Sequence, residues 1–305
     1  MSARGGQTSS AKADQNLHMS DIEAFERNRS RLAGIAYGML GSVMEAEDVV
    51  QDAYLRWRGV DTGKIDSPDA YLTTITTRLA IDRLKSARAR RERYVGPWLP
   101  EPMVTSQAED PAAIVLEAES LSMALLAALE RLNPVERAVL LLREVFDMDY
   151  AEISPIVDKS PANCRQIASR ARDKAGDQGR RTTAAPSDFE IIMRYVDRVS
   201  QGDVEGVAAV FAEDVVLWSD GGGVARAARH PLFGATRVAR HMVGVAPQTP
   251  EGTKIVFALV NGDPGLLGVL DGRVIAALAF EIEEGLVVAL RAVLNPDKLA
   301  HIPPL

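Results

Sequence analysis

Cysteine is nearly missing from this chain of 305 residues: Cys164 is the only one, so no internal disulfide can form and a reducing compartment is expected. Histidine is scarce too, and the four copies show no zinc-site spacing, so no structural metal is expected. Long apolar runs are lacking. The longest, residues 123–129 and 274–280, are seven residues each, whereas a bilayer-spanning helix needs roughly 20; no membrane partner is implied. Residues 1–20 hold Gly, Ser, Gln and Ala around Arg4 and Lys12, without the apolar stretch of a secretory signal. They read as a disordered tail, and the chain is expected in the cytoplasm. What remains is ordinary globular composition, 47% hydrophobic and 25% charged, over a length that suits two or three units of about 100 to 150 residues each.

A net charge of -7 looks unfavourable for nucleic acid, whose phosphates are bound by Lys and Arg. The charge is segregated, however. Cutting after Ala185 leaves 25 basic and 27 acidic residues before the cut and 10 and 15 after it, a net of -2 and -5. Residues 78–93 carry seven basic residues against two acidic ones, and residues 165–181 carry six against two.

Up to residue 185 the sequence reads as helices. Ser67-Pro68, Asp110-Pro111, Asn133-Pro134 and Ser160-Pro161 each place a capping side chain before a proline suited to the first helical position. Asn133 with Glu136 and Asp149 with Glu152 have capping-box spacing. Leu72, Ile75 and Leu79, like Leu125, Leu129 and Leu132, recur at helical intervals and predict core stripes. Residues 95–110, rich in proline, read as a stiff linker between a unit at 21–94 and one at 111–176. A second linker at 177–187 leads to a unit at 188–305. There helices around residues 189–199, 204–211 and 236–243 alternate with a strand at 215–218, followed by an antiparallel meander at 255–260, 266–270, 274–282 and 286–294. The fold class expected is multidomain, two all-α domains followed by an α+β domain with a curved antiparallel sheet.

Residues 150–173 have the layout of a helix-turn-helix, with Pro155 expected to kink or shorten the first helix and the turn at Asp158-Lys159. In such a motif the second helix enters the major groove. Asn163, Arg165 and Gln166 near its start have the donor and acceptor geometry for base edges, while Arg170, Arg172 and Lys174 meet phosphates. Read alone, the motif is equally an ordinary helical pair with a solvated basic face. The helix from Pro68 projects Arg78, Arg83, Lys85, Arg88, Arg90, Arg91 and Arg93 beyond its apolar half. Earlier, Glu45, Asp48 and Asp52, with Gln51 beside them, form an acidic helical face. That face repels DNA and suits a basic protein surface or plain solvent.

Together these segments resemble a known family. Ala46-Glu47-Asp48-Val49-Val50-Gln51-Asp52-Ala53-Tyr54-Leu55-Arg56, then Ala70-Tyr71-Leu72, Ala80-Ile81-Asp82-Arg83-Leu84, residues 129–136 and the helix-turn-helix resemble, in order, the extracytoplasmic-function group of the sigma-70 family. The resemblance implies region 2 at 21–93, region 4 at 112–175, and the RNA polymerase core (β′ clamp and β subunits) and promoter DNA as partners. It implies that Asp48, Gln51 and Asp52 face the β′ clamp helices and that the 59–67 loop and the basic helix handle the -10 element. By the same resemblance residues 161–174 read the -35 element. Trp98-Leu99-Pro100-Glu101-Pro102, Asn163-Cys164-Arg165-Gln166, Asp220-Gly221-Gly222-Gly223 and Asn295-Pro296-Asp297-Lys298-Leu299 are similar to the subgroup with a fused SnoaL-like domain. In that subgroup the extension, as an intramolecular partner, tunes activity without a separate anti-sigma protein. Val224 departs from the lysine usual after the three glycines.

SnoaL-like cones often enclose a pocket, which leaves three roles open for the last domain: a structural regulatory lid, a sensor of a small-molecule ligand, or an isomerase or cyclase. Asp220, His230 and His241, with Trp218 as a wall, are the candidates for such a site, yet their spacing specifies no mechanism. No catalytic residue and no cofactor are assigned. The glycine run reads as a turn rather than a phosphate cradle, because no Lys-Ser or Lys-Thr pair follows it. The rival of a different class is a ligand-responsive helix-turn-helix regulator.

Overall fold

The computed structural model describes residues 7–91, 94–106, 121–176 and 186–305, and of residues 7–20, 87–91, 106 and 186 the backbone only. The helices are α1 (Gln7–Leu40), α2 (Val43–Arg58), α3 (Pro68–Arg91), α4 (Met123–Leu129), α5 (Pro134–Glu144), α6 (Tyr150–Val157), α7 (Pro161–Ala175), α8 (Pro186–Ser200), α9 (Val204–Ala208), α10 (Ala235–Val245) and α11 (Pro296–Leu299). The strands are β1 (Val104–Ser106), β2 (Phe211–Asp220), β3 (Leu232–Phe233), β4 (Lys254–Val260), β5 (Asp263–Leu270), β6 (Arg273–Glu283) and β7 (Leu286–Val293). Three of the four cap-proline pairs open helices, at Pro68, Pro134 and Pro161; Asp110-Pro111 lies outside the described residues. The tail expected at 1–20 is a helix from Gln7 onward. Past Gly6 the segment contains neither glycine nor proline, so a helix nucleated by the buried part of α1 propagates backward at little cost per residue.

By packing, the chain divides into two units: Met1–Leu40 with Met44–Lys85 and Pro134–Ser169, and Gly41–Val43 with Ser86–Asn133 and Arg170–Leu305. This partition cuts through the expected 111–176 unit, placing α4 with the C-terminal part. In the first unit α1 buries Phe25, Leu32, Ile35 and Met39, and α2 buries Val49, Val50, Ala53 and Trp57. The Trp57 indole N–H donates to the Asp21 carbonyl at 2.9 Å. The buried Arg137 guanidinium of α5 donates to the Met39 carbonyl at 2.9 Å, satisfying a terminal acceptor of α1. Of the stripe on α3, Leu72 is fully buried and Ile75 and Leu79 are half-buried, while Thr73, Thr76 and Thr77 share the interior.

In the second unit the sheet runs β1-β4-β5-β6-β7-β2-β3. The meander β4 to β7 is antiparallel, and its three hairpins turn on Asn261-Gly262, Asp271-Gly272 and Glu284-Gly285, all with positive φ, the backbone that type I′ turns require. β2 pairs with β7 in parallel, so the sheet is mixed rather than wholly antiparallel. Helices and the meander separate these two strands in sequence, which frees their relative direction from the constraint of a tight hairpin. Strand alternation sorts the apolar residues to two faces. One face, with Leu217, Leu266, Leu278, Phe280 and Leu290, packs under α8, α9 and α10. The other, with Ala258, Leu267, Val269, Ala277 and Val293, packs against Leu99, Met123 and Leu299. Of the segment expected as a linker at 95–110, residues 98–106 therefore lie on the sheet, and β1 extends its edge; residues 107–110 lie outside the described residues.

Candidate polymerase, promoter and linker-binding surfaces

On α2 the buried residues take one side, and Asp48, Gln51 and Asp52 are exposed on the other as the spacing predicts. Met44 at 58% and Leu55 at 56% exposure flank them, at positions 44, 48, 51, 52 and 55 of a single helical face. Sequence reading missed these two apolar members because it sorted the helix into acidic and core sides only. Asp48 also receives the Arg83 guanidinium of α3 at 2.5 Å, so a residue expected at polymerase and one expected at DNA form an ion pair.

Arg78 is exposed, yet its guanidinium is engaged within the protein. Its Nε donates to the Ile156 carbonyl at 3.1 Å and its Nη2 to the Pro155 carbonyl at 2.6 Å. Lys85 is exposed and pairs with Asp82 at 2.9 Å. The side chains of Arg88, Arg90, Arg91 and Arg93 lie outside the described residues.

Asp149 and Glu152 form the complete capping box of α6. The helix carries Pro155 and ends at Val157, and Asp158 closes it in the left-handed region at φ 54°, ψ 53°. Ser154 Oγ donates to the Lys159 carbonyl at 2.6 Å, bracing the turn, and Ser160 Oγ accepts from the Asn163 N–H at 3.2 Å, capping α7. Cys164, Ala168, Ala171 and Ala175 make the buried side of α7; Asn163, Arg165, Gln166, Arg170, Arg172 and Lys174 are exposed opposite them. The lone cysteine is thus core, and burial pushes its thiol above its ordinary value, away from reactivity. The Arg165 guanidinium lies 5.6 Å from the Tyr150 ring centroid, a distance that steadies its stem.

The motifs scattered at 94–102, 220–223 and 295–299 meet at one buried point. Asp220, wholly inaccessible, accepts from Lys298 Nζ at 2.7 Å and the Leu99 N–H at 2.8 Å through Oδ2. Through Oδ1 it accepts from the Tyr94 hydroxyl at 2.5 Å and the Gly222 N–H at 3.1 Å. Lys298 also donates to the Leu99 carbonyl and stands over the Trp98 ring at 3.9 Å and the Tyr94 ring at 4.8 Å. Asn295 donates from Nδ2 to the Tyr94 hydroxyl at 2.8 Å and caps α11 through Oδ1, which accepts from the Asp297 N–H at 3.1 Å. Burial first, then the hydrogen bond to Asp220, raise the Tyr94 phenol. Gly222 has φ +62°, and a Cβ there would sit 2.3 Å from Asn295 Nδ2, so the glycine run is a turn shaped to this contact. Val224 is 75% exposed and takes no part.

Further along, the Met103 N–H donates to Asn261 Oδ1 at 3.0 Å, and Asn261 Nδ2 donates to the Leu121 carbonyl at 3.0 Å. Tyr94 and Asn261 were not singled out by sequence. Of the pocket candidates, Asp220 belongs to this clamp, and Trp218 and His230 line a cavity of about 470 Å³ with Arg131, Arg229 and Arg291. His241 alone lines the larger cavity between helices and sheet. Among the described residues no group of three His, Cys, Asp or Glu could hold a metal ion, and no helix is long and apolar enough to cross a membrane.

Comparison with known proteins places the chain in a family. Residues 24–90 match the Sigma-70 region 2 model and residues 122–174 the Sigma-70, region 4 model. The ECF RNA polymerase sigma factor SigJ of Mycobacterium tuberculosis is 37% identical over 93% of this chain and 94% of its own. The Probable ECF RNA polymerase sigma factor SigI of the same species is 30% identical over 90% and 93%. The crystal structure of Mycobacterium tuberculosis extracytoplasmic function sigma factor SigJ superposes with a TM-score of 0.73 at 35% identity, covering 92% of this chain and 98% of that one. With both sigma regions, the C-terminal sheet domain and nearly the full length matched, this chain belongs to the extracytoplasmic-function RNA polymerase sigma factors, the proteins that direct polymerase to promoters and start transcription.

Proposed function

We propose that the exposed face of α2, Asp48, Gln51 and Asp52 between Met44 and Leu55, docks on the basic β′ clamp helices of core polymerase in the cytoplasm. Arg83, Lys85, Arg88, Arg90 and Arg91 handle the -10 element, and Arg78 joins them once it leaves the α6 carbonyls. Asn163, Arg165 and Gln166 read the -35 element while Arg170, Arg172 and Lys174 hold its phosphates. The C-terminal domain acts in cis through the linker. The observation that carries this reading is the buried Asp220–Lys298 clamp on Leu99: Tyr94, Trp98 and Leu99, between the two sigma regions, are held by polar and ring contacts of Asp220, Asn295 and Lys298 of a third domain, so a change in that domain alters how the linker can move on polymerase.

The domain is regulatory rather than catalytic. A proton shuttle needs an acid or base able to change charge beside the substrate; of the candidates only His241 lines the larger cavity, and Asp220, the one carboxylate among them, is taken up by the clamp on Leu99. Transcription in vitro with purified core polymerase tests the reading. Promoter-dependent transcript is expected from the wild-type chain, at a level changed by Gly222→Ala, and Asp48→Ala with Asp52→Ala should weaken core binding while leaving the fold intact. No transcript from any form of the chain would refute the core and promoter assignments; equal activity of wild type and Gly222→Ala would refute regulation through the clamp.

A further inference from the structure

The cavity under α8 and α10 has a volume of about 690 Å³, within the range of small-molecule sites. Its walls are mainly aliphatic, drawn from both helices and from β5, β6 and β7. Of the polar side chains on its wall, Ser200, Arg226, Gln248 and Thr253 are bonded within the protein and Thr249 is exposed, which leaves Tyr195 of α8, Ser219 of β2 and His241 of α10. Tyr195 and Ser219 are each only 4% exposed. Neither hydroxyl, nor the His241 ring, has a hydrogen-bond partner among the described residues. Tyr195 and Ser219 both line the cavity, and neither oxygen is among the side-chain atoms sealed in protein without a partner, so their hydrogen-bonding capacity is open to whatever occupies the cavity. Here the Tyr195 ring is fixed between Phe211 and Phe280, with centroids at 5.9 and 5.3 Å, so the hydroxyl is held in place rather than free to turn to solvent.

Charge narrows the ligand. Among the described residues no Asp or Glu lines the cavity, and the one Lys or Arg that does, Arg226, is exposed and donates to Gln248 Oε1 at 2.7 Å. A cation would enter without a counter-charge, and an anion would find that guanidinium already engaged with Gln248; burying either without a partner is costly. From this geometry we infer that the cavity is a binding site for an uncharged, mostly apolar small molecule bearing a carbonyl or hydroxyl oxygen, received by Tyr195, Ser219 and His241. The site goes beyond the cis-regulatory reading, and a direct binding measurement on it is independent of any transcription result.

The full chain is titrated with Nile red, an uncharged dye with one carbonyl acceptor, and its fluorescence is followed. Saturable one-to-one binding with blue-shifted emission is expected. Tyr195→Phe, which removes only the hydroxyl, should weaken binding about three- to tenfold without lowering the melting temperature, since that hydroxyl bonds nothing in the protein. Met242→Trp should fill the cavity and weaken binding at least about tenfold; should it melt early, Ser219→Ala takes its place beside Tyr195→Phe. Dye fluorescence that never saturates, or that is indifferent to Tyr195→Phe and to the second variant, would overturn the site. Tighter binding of the anionic anilinonaphthalene sulfonate than of Nile red would overturn the uncharged class.

Discussion

Asp220 and Lys298 show how one pair of charges can be kept inside a protein. Each is more than nine-tenths buried, and desolvating them is repaid only because every oxygen of the carboxylate and the ammonium itself find further donors, acceptors or ring faces. Removing one member leaves the other stranded. Lys298→Met should therefore cost about 3–5 kcal/mol of stability in urea unfolding, while Asp220→Asn combined with Lys298→Met should cost less than the sum of the two single changes. His241 makes a different prediction. Burial lowers its imidazole from the ordinary 6.5, so as pH falls below that value the unfolded chain takes up a proton before the folded one does. Stability present at neutral pH should decline from about pH 6.5 downward, and unfolding midpoints of His241→Gln should lack that part of the slope.

At the scale of elements, α7 divides its residues cleanly: small buried side chains on one side and the exposed Asn163, Arg165, Gln166, Arg170, Arg172 and Lys174 on the other, proposed above as base-edge and phosphate donors. The two kinds of donor should be separable. Arg165→Ala should cost about 1–3 kcal/mol on a preferred -35 sequence and relax preference at one base position, while Lys174→Ala should weaken all sequences alike and lower the slope of log K against log salt by about 1; binding isotherms at several salt concentrations check both. The strands carry a lesson about legibility. Residues 255–260 and 274–280 are continuous apolar runs, the pattern of a strand covered on both faces, whereas a sheet with one wet face alternates. The signal that something must cover the second face was present, but its occupant, the proline-rich segment, looked like a spacer because prolines also suit an edge strand's approach.

For the whole molecule, the two packing units supply separate reporters: Trp57 lies in the first, and Trp98 and Trp218 lie in the second. Variants keeping only Trp57 or only Trp98 should report different denaturation transitions, and Lys298→Met should shift the second without the first; coincident, equally shifted transitions would mean that the units unfold as one. The net charge is likewise a sum over unlike surfaces, basic at 78–93 and 165–181, acidic on α2.

Order of helices, capped starts, hairpin turns and the two-sided chemistry of α2 and α7 were readable in the amino-acid sequence, because each depends on neighbours within a few residues and on stereochemistry that proline, glycine and Asx side chains impose locally. The family motifs were readable for the same reason, being contiguous words. What folding alone decided were the meetings across long separations. These are Tyr94 and Leu99 on Asp220 and Lys298, β1 on the sheet edge, Arg78 on the carbonyls of Pro155 and Ile156, and Tyr195, Ser219 and His241 around one cavity. Such contacts follow from how two apolar faces of one sheet are covered, a global requirement that no local pattern specifies.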